Sequence, residues 1–85
     1  MTPYEVRFTR EAAKDARKLS PKLRKKLRDI LVEVAAKDPH SGKRLVGDLR
    51  GFYSLRLTLK DRIVYTVDDE QRIVYVHRAR THYGE

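Results

Sequence analysis

The residues whose side chains are best suited to catalysis lie in the second half of the chain. Arg56 and Arg62 fall six residues apart, and His82 directly precedes Tyr83. An arginine keeps its charge at any relevant pH, and its planar guanidinium can donate two hydrogen bonds to one phosphate. A histidine titrates near neutrality and therefore suits proton transfer. Together these residue types could neutralise charge at a phosphate and deliver a proton to a leaving oxygen.

Three histidines are candidates for the proton transfer. His40 lies in a predicted loop and His77 ends a predicted strand, whereas His82 follows Arg78 and Arg80 in a segment that could fold across an open sheet face. We therefore assign His82 as the general acid. The chain has no cysteine, and its histidines lack partners at metal-ligand spacing, so we expect neither a metal nor another cofactor.

The elements that must position these residues begin with a strand and two helices. Residues 4–8 alternate apolar and polar side chains, which predicts a strand. Thr9 suits the N-cap of a first helix, and Ser20 followed by Pro21 suits the start of a second one, which runs to Asp38. The apolar stripe of that second helix consists of Leu23, Leu27, Ile30, Leu31 and Val34.

The rest of the chain predicts a sheet. Residues 40–51 indicate a surface connection with little packing, and 52–59, 62–67 and 72–76 indicate consecutive antiparallel strands. The order β-α-α-β-β-β predicts an α+β fold in a single domain, residues 1–85. In it a helical hairpin packs on one face of a small, mainly antiparallel sheet and leaves the other face open.

Period-two alternation predicts that Arg56 and Arg62 share the open face. Leu59 and the leucines before it in the same strand would then point toward the helices. A two-residue hairpin at Lys60-Asp61 would reverse this parity and turn Arg62 inward. Because an unpaired buried guanidinium costs more than a bulge, we predict that the loop is one residue wider.

Composition limits the partners and the kind of site. The 85 residues carry 20 Lys plus Arg against 12 Asp plus Glu, a net charge of +8. So large an excess implies a polyanionic partner, and so short a chain favours an open surface site over an enclosed cofactor pocket. We find neither a signal peptide nor a membrane-spanning run, and with no cysteine the cytoplasm is the expected location.

From Leu45 onward the sequence strongly resembles the RelE/ParE toxin superfamily, and within it the RelE and YoeB type of messenger-RNA interferase. The segments LVGDLRGFYSLRL, DRIVY and HY carry the resemblance, and the whole chain fits the order of elements. The resemblance implies the toxin of a type II toxin-antitoxin system. Such a toxin enters the ribosomal A site and cuts the messenger there without a metal.

The resemblance also implies roles for individual residues. By motif position, Arg62 matches the catalytic arginine, Arg56 a basic residue that contacts phosphate, and His82 with Tyr83 the terminal pair of YoeB-like members. Tyr83 would stack on or orient a base. Further RNA-binding residues are predicted to be Lys43, Arg44, Arg78 and Arg80.

The general base is left open by two departures from the family pattern. Lys43 stands roughly where YoeB-like members have a glutamate, and Ser54 stands where RelE-like members have a second basic residue. Electrostatics, Lys43 or a group of the ribosome could activate the attacking hydroxyl.

Two other functions compete with the ribonuclease hypothesis. One is a ParE-like poison of DNA gyrase without nuclease activity, and the other is a basic nucleic-acid-binding regulatory module. Neither explains the His82-Tyr83 pair. In the ribonuclease hypothesis the partners are messenger RNA on the ribosome and an acidic antitoxin, which could dock on the basic face of the second helix, Lys22 to Arg28.

Overall fold

Two N-caps set the start of the helical layer. The computed structural model describes residues 3–79, with strand β1 at Glu5–Phe8 and helices α1 at Arg10–Lys18 and α2 at Pro21–Ile30. The Thr9 side chain accepts a hydrogen bond from the Ala12 N–H at 3.2 Å, and Ser20 accepts one from the Leu23 N–H at 3.3 Å. Both predicted caps are therefore confirmed.

Helix α2 continues into a π-helical segment, Leu31–Ala35. There the Ala36 N–H donates to the Leu31 carbonyl at 2.8 Å, a bond that spans five residues. The continuous run of α2 and the π-helical segment ends at Ala35, shortly before Asp38-Pro39, as the sequence predicted, and a short 3₁₀ helix follows at Pro39–Ser41.

The sheet has five strands in the order β1-β5-β4-β3-β2. After β1 the strands are β2 at Lys43–Arg44, β3 at Tyr53–Arg56, β4 at Arg62–Asp68 and β5 at Ile73–Arg78. Only the β1–β5 pair among the described strands is parallel. The predicted α+β class and the mainly antiparallel sheet are confirmed, while β2 is an additional strand that the sequence did not predict.

The core lies between the two helices and one sheet face. It joins Ala12, Leu27 and Leu31 of the helical layer to Ile63, Tyr65, Val74 and Val76 of the sheet, all 3% exposed or less. Leu59 does not belong to it. The prediction that Leu59 points toward the helices is wrong, because β3 ends at Arg56 and Leu59 is 93% exposed in the following loop.

The connection before β3 packs more closely than predicted. Pro39 and Gly42 are buried, and the Tyr65 hydroxyl donates to the Pro39 carbonyl at 2.6 Å. A Cβ on Gly42 would collide with the Tyr65 hydroxyl oxygen, so only glycine fits without a shift. This segment fixes β2 against β3, through the pairs Lys43 with Ser54 and Arg44 with Tyr53.

The sheet face away from the helices is less open than predicted. Ser54 and Val64 are cross-strand partners on this face, yet they are 2% and 1% exposed. Within residues 3–79, no helix is long and apolar enough to cross a membrane.

Candidate functional site

Arg56 and Arg62 are directly opposite each other across strands β3 and β4. The five residues between them form a loop in which the Leu57 and Thr58 N–H groups donate to the Asp61 carbonyl. The loop is wider than predicted, but it keeps the predicted parity. Both arginines therefore lie on the sheet face away from the helices, as expected.

This arrangement places two like charges side by side. Directly opposed residues in an antiparallel pair have Cβ atoms about 4.5–5.5 Å apart, and like charges there are destabilising. Neither guanidinium forms an ion pair or hydrogen bond with any residue in 3–79. Arg56 is exposed and Arg62 is half-buried, so both keep donors available for an anion.

Strand β2 brings two more of the predicted RNA-binding residues to this place. Lys43 and Arg44 are exposed on the edge strand beside β3. They border a depression of about 370 Å³ that also includes Arg62. Its full lining is Lys43, Arg44, Leu45, Val46, Leu49, Ser54 and Arg62. We define these seven residues as the β2–β3 depression.

Ser54 contributes a buried hydroxyl to the wall of the β2–β3 depression. Its Oγ is the one buried side-chain polar atom of the described residues that has no hydrogen-bond partner. Sequence reasoning noted Ser54 only as a departure from the family pattern. A serine on a strand gives no sign that its hydroxyl will be unpaired.

Arg78 lies apart from this cluster, against helix α1. Its Nε donates to the Asp15 carboxylate at 2.8 Å, and the Ala79 N–H donates to the same carboxylate at 3.2 Å. The β4–β5 register places Arg78 opposite Val64, two residues from Arg62. The last described residues therefore leave the sheet at the end where Arg62 lies. Arg80, His82 and Tyr83 fall outside the described residues.

His77 lies on the sheet between Thr66 and Phe52. Its Nε2 is 2.9 Å from the Thr66 hydroxyl, and its ring makes an edge contact with Phe52 at 5.0 Å between centroids. Burial lowers the pKa of His77 from its ordinary value of 6.5. Its imidazole is therefore neutral at physiological pH.

A second polar cluster lies around His40 and was missed by sequence reasoning. His40 Nε2 is 2.8 Å from the Asp69 carboxylate and Nδ1 is 2.8 Å from the Tyr53 hydroxyl. Because a carboxylate only accepts, Nε2–H donates to Asp69, and in neutral His40 the Tyr53 hydroxyl donates to Nδ1. The Tyr4 hydroxyl also donates to Asp69, at 2.6 Å. These hydrogen bonds from Tyr4 and His40 lower the pKa of the Asp69 carboxyl.

The His40 cluster joins four separate segments of the chain, so no local motif could have revealed it. It fastens the turn after the helices to the β4–β5 turn. The residues in 3–79 contain no group of three or more histidines, cysteines or carboxylates placed to hold a metal ion.

The described residues combine a helical hairpin over a five-stranded sheet with a pair of basic residues on the far face of the sheet. A family model described as ParE-like toxin of type II bacterial toxin-antitoxin system matches residues 6–84. The chain belongs to this family, within the RelE/ParE superfamily.

Two curated relatives come from Mycobacterium tuberculosis (strain ATCC 25618 / H37Rv). Toxin RelE is 35% identical over 80 residues, 92% of this chain and 81% of the relative. Toxin RelG is 34% identical over 78 residues, 91% of this chain and 88% of the relative.

Solved structures agree with this assignment. The toxin-antitoxin complex RelBE2 from Mycobacterium tuberculosis contains a chain with a TM-score of 0.85 and 32% identity, covering 100% of this chain and 97% of that one. A YoeB/ParE toxin from Agrobacterium tumefaciens has a TM-score of 0.82 and 27% identity, with coverage of 93% and 99%. A chain of the E. coli RelBE toxin-antitoxin complex has a TM-score of 0.77 and 30% identity, covering 92% of this chain and 95% of that one.

Proposed function

We propose that this toxin is an endoribonuclease that cuts messenger RNA in the ribosomal A site without a metal. The observation that carries the proposal is the grouping of Arg56, Arg62 and Lys43 on neighbouring strands, with both guanidinium groups unpaired among the described residues. Such a group of cations destabilises the fold by mutual repulsion, a cost that is offset when the group binds an anion. The similarity to RelE and YoeB toxins supports the same function.

The proposed reaction is an internal transesterification. The ribose 2′-oxygen attacks the adjacent phosphorus, and the P–O5′ bond breaks as the P–O2′ bond forms. The products are a 2′,3′-cyclic phosphate and a 5′-hydroxyl. Arg62 and Arg56 stabilise the additional negative charge on the phosphoryl oxygens, since their donors are in place before the reaction.

Two protons must move in this reaction. His82 gives a proton to the leaving 5′-oxygen, and Tyr83 stacks on or orients a base; both roles rest on the family resemblance. The position of Arg78 opposite Val64 supports them, because the chain leaves the sheet near Arg62 only a few residues before His82. The acceptor of the 2′-hydroxyl proton stays open, and Lys43 can assist by electrostatic attraction.

An antitoxin is the second proposed partner. Similar structures are toxin-antitoxin complexes, and the net charge of +8 favours an acidic partner for this chain. The ribosomal substrate places the toxin in the cytoplasm. Arg44, Arg78 and Arg80 remain proposed contacts to RNA, although the Arg78 guanidinium is hydrogen-bonded to Asp15 of helix α1.

Primer extension on translated messages tests the nuclease function. Induced wild-type toxin should produce cuts at defined codon positions, and Arg62→Ala should reduce cutting by about 10²- to 10³-fold, the usual cost of losing one transition-state donor. Arg17→Ala, which removes an exposed arginine of helix α1, is the matched control and should cut like wild type. Growth arrest without any cuts would reject the proposal.

Inhibition of DNA gyrase is the second candidate function. It is favoured by the description of the matching family as ParE-like. A supercoiling assay with purified toxin and gyrase separates the two functions. Loss of supercoiling at low toxin concentration, with intact messages, would support gyrase poisoning instead of cleavage.

A further inference from the structure

The β2–β3 depression combines cations with an apolar surface. Lys43, Arg44 and Arg62 provide its charge, while Leu45, Val46 and Leu49 form an apolar shelf beside them. Val46 is 84% exposed. Exposed apolar side chains next to cationic ones suit a ligand that has both a flat apolar face and a negative charge.

Ser54 supplies a polar group with no use in the fold. Its Oγ is buried in the wall of the depression and has no partner among the described residues. Leaving a buried hydroxyl unpaired is destabilising, so an alanine here would serve the fold better. A ligand in the depression that hydrogen-bonds to Ser54 would satisfy this hydroxyl.

The size of the depression limits the ligand. Its volume of about 370 Å³ lies near the lower end of small-ligand pockets, which span about 300–1,000 Å³. There is room for about one nucleotide, but not for a stack of bases. The adjacent cationic pair, Arg56 and Arg62, lies where a neighbouring phosphate of the same strand would continue.

We propose that the β2–β3 depression is the subsite for one nucleotide next to the scissile phosphate, an inference that rests on the proposed RNA cleavage. The base lies on the shelf of Leu45, Val46 and Leu49, and its edge hydrogen-bonds to the Ser54 hydroxyl. Lys43 and Arg62 hold the flanking phosphates. Since a hydroxyl both donates and accepts hydrogen bonds, Ser54 can bind the edge of any of the four bases. It therefore contributes affinity for the nucleotide but no base specificity.

Single-turnover cleavage on purified ribosomes with a defined messenger tests the subsite. Val46→Ser and Ser54→Ala should each reduce the cleavage rate at subsaturating toxin by about tenfold, because apolar contact with the base and a hydrogen bond to it are lost, respectively. Val32→Ser is the matched control, since Val32 is also an exposed valine but lies in the helical layer, outside the depression. It should stay within about twofold of wild type.

Two further measurements separate the outcomes. Thermal unfolding should show that Ser54→Ala is at least as stable as wild type, which excludes misfolding as the cause of lost activity. Antitoxin affinity should be unchanged in Val46→Ser. If wild type cuts and both variants cut equally well, or if Val46→Ser weakens only antitoxin binding, the subsite is wrong while the nuclease stands. If wild-type toxin cuts no message, both proposals fail.

Discussion

Two ionisable side chains, His77 and Tyr65, are kept in their neutral forms by the fold. His77 is enclosed between Thr66 and Phe52, and burial lowers its pKa. Tyr65 is buried against the helices, and burial raises the pKa of its hydroxyl to about 12. Both side chains are therefore uncharged in the folded protein under physiological conditions, which lets them pack within the sheet without a counter-charge.

The lowered pKa of His77 predicts a loss of stability in mild acid. The unfolded chain binds a proton at His77 near pH 6.5, whereas the folded chain binds it only at lower pH. The free energy of unfolding should therefore fall as pH drops through about 6.5 and level off below the folded pKa. Urea unfolding of wild type and His77→Gln from about pH 8 to about pH 5 measures this contribution.

The comparison of the two curves isolates His77, because all other titrating groups are shared. The wild-type curve should decline more steeply than that of His77→Gln. Parallel curves would show that His77 is free to take up its proton in the folded state.

At the scale of elements, helix α1 and strand β5 are joined by one carboxylate. Asp15 is 7% exposed and accepts hydrogen bonds from the Arg78 guanidinium and the Ala79 N–H. This contact fixes the end of β5 beside the helical layer.

Loss of this carboxylate should weaken the packing of α1 on the sheet. Asp15→Asn should lower the free energy of unfolding by about 1–3 kcal/mol, because charge-assisted hydrogen bonds to a mostly buried group are lost. Asp29→Asn on the exposed surface of α2 is the matched control and should change stability by less than about 0.5 kcal/mol. Urea unfolding of both variants measures these changes. An Asp15→Asn variant as stable as wild type would show that the Asp15 carboxylate does not stabilise the fold.

Sequence reasoning succeeded for elements whose signals are local. Thr9 and Ser20 mark the helix starts through their own side chains, and the parity of Arg56 and Arg62 follows from the alternation of their strands. Strand β2 escaped prediction because two charged residues, Lys43 and Arg44, are too few to show a period. Its pairing depends on contacts with β3 and on the tight approach of Gly42 to Tyr65.

The candidate site was only partly accessible to the same reasoning. Arg56, Arg62 and Lys43 were identified from motif positions and come together in space. The unpaired Ser54 hydroxyl and the His40 cluster depend on distances between segments that are far apart in sequence. Such groupings emerge only once the strand register is fixed.

At the scale of the whole molecule, positive charge works against the fold. The net charge of +8 is carried by a protein with a radius of gyration of 12.0 Å. At about 0.01 M salt the screening length is about 30 Å, so charges interact across the whole molecule and the net interaction of the excess positive charges is repulsive. At about 0.1 M salt this length falls to about 10 Å, and repulsion acts mainly between near neighbours.

Added salt should therefore stabilise the isolated toxin. The thermal midpoint should rise between about 0.01 M and about 0.1 M sodium chloride, since screening relieves the self-repulsion of the compact state. Scanning calorimetry or circular dichroism at fixed pH provides the measurement. A midpoint that falls with salt would show that ion pairs such as Arg78 with Asp15 outweigh the repulsion.

The place of β5 in the sheet affects how the toxin is made. β5 is synthesised after the other four strands, yet it lies between β1 and β4. Until β5 emerges from the ribosome, β1 has no neighbouring strand with which to pair, and helix α1 lacks the strand against which it mainly packs. The nascent chain therefore cannot complete this sheet before Arg78 has been translated and β5 has left the ribosome.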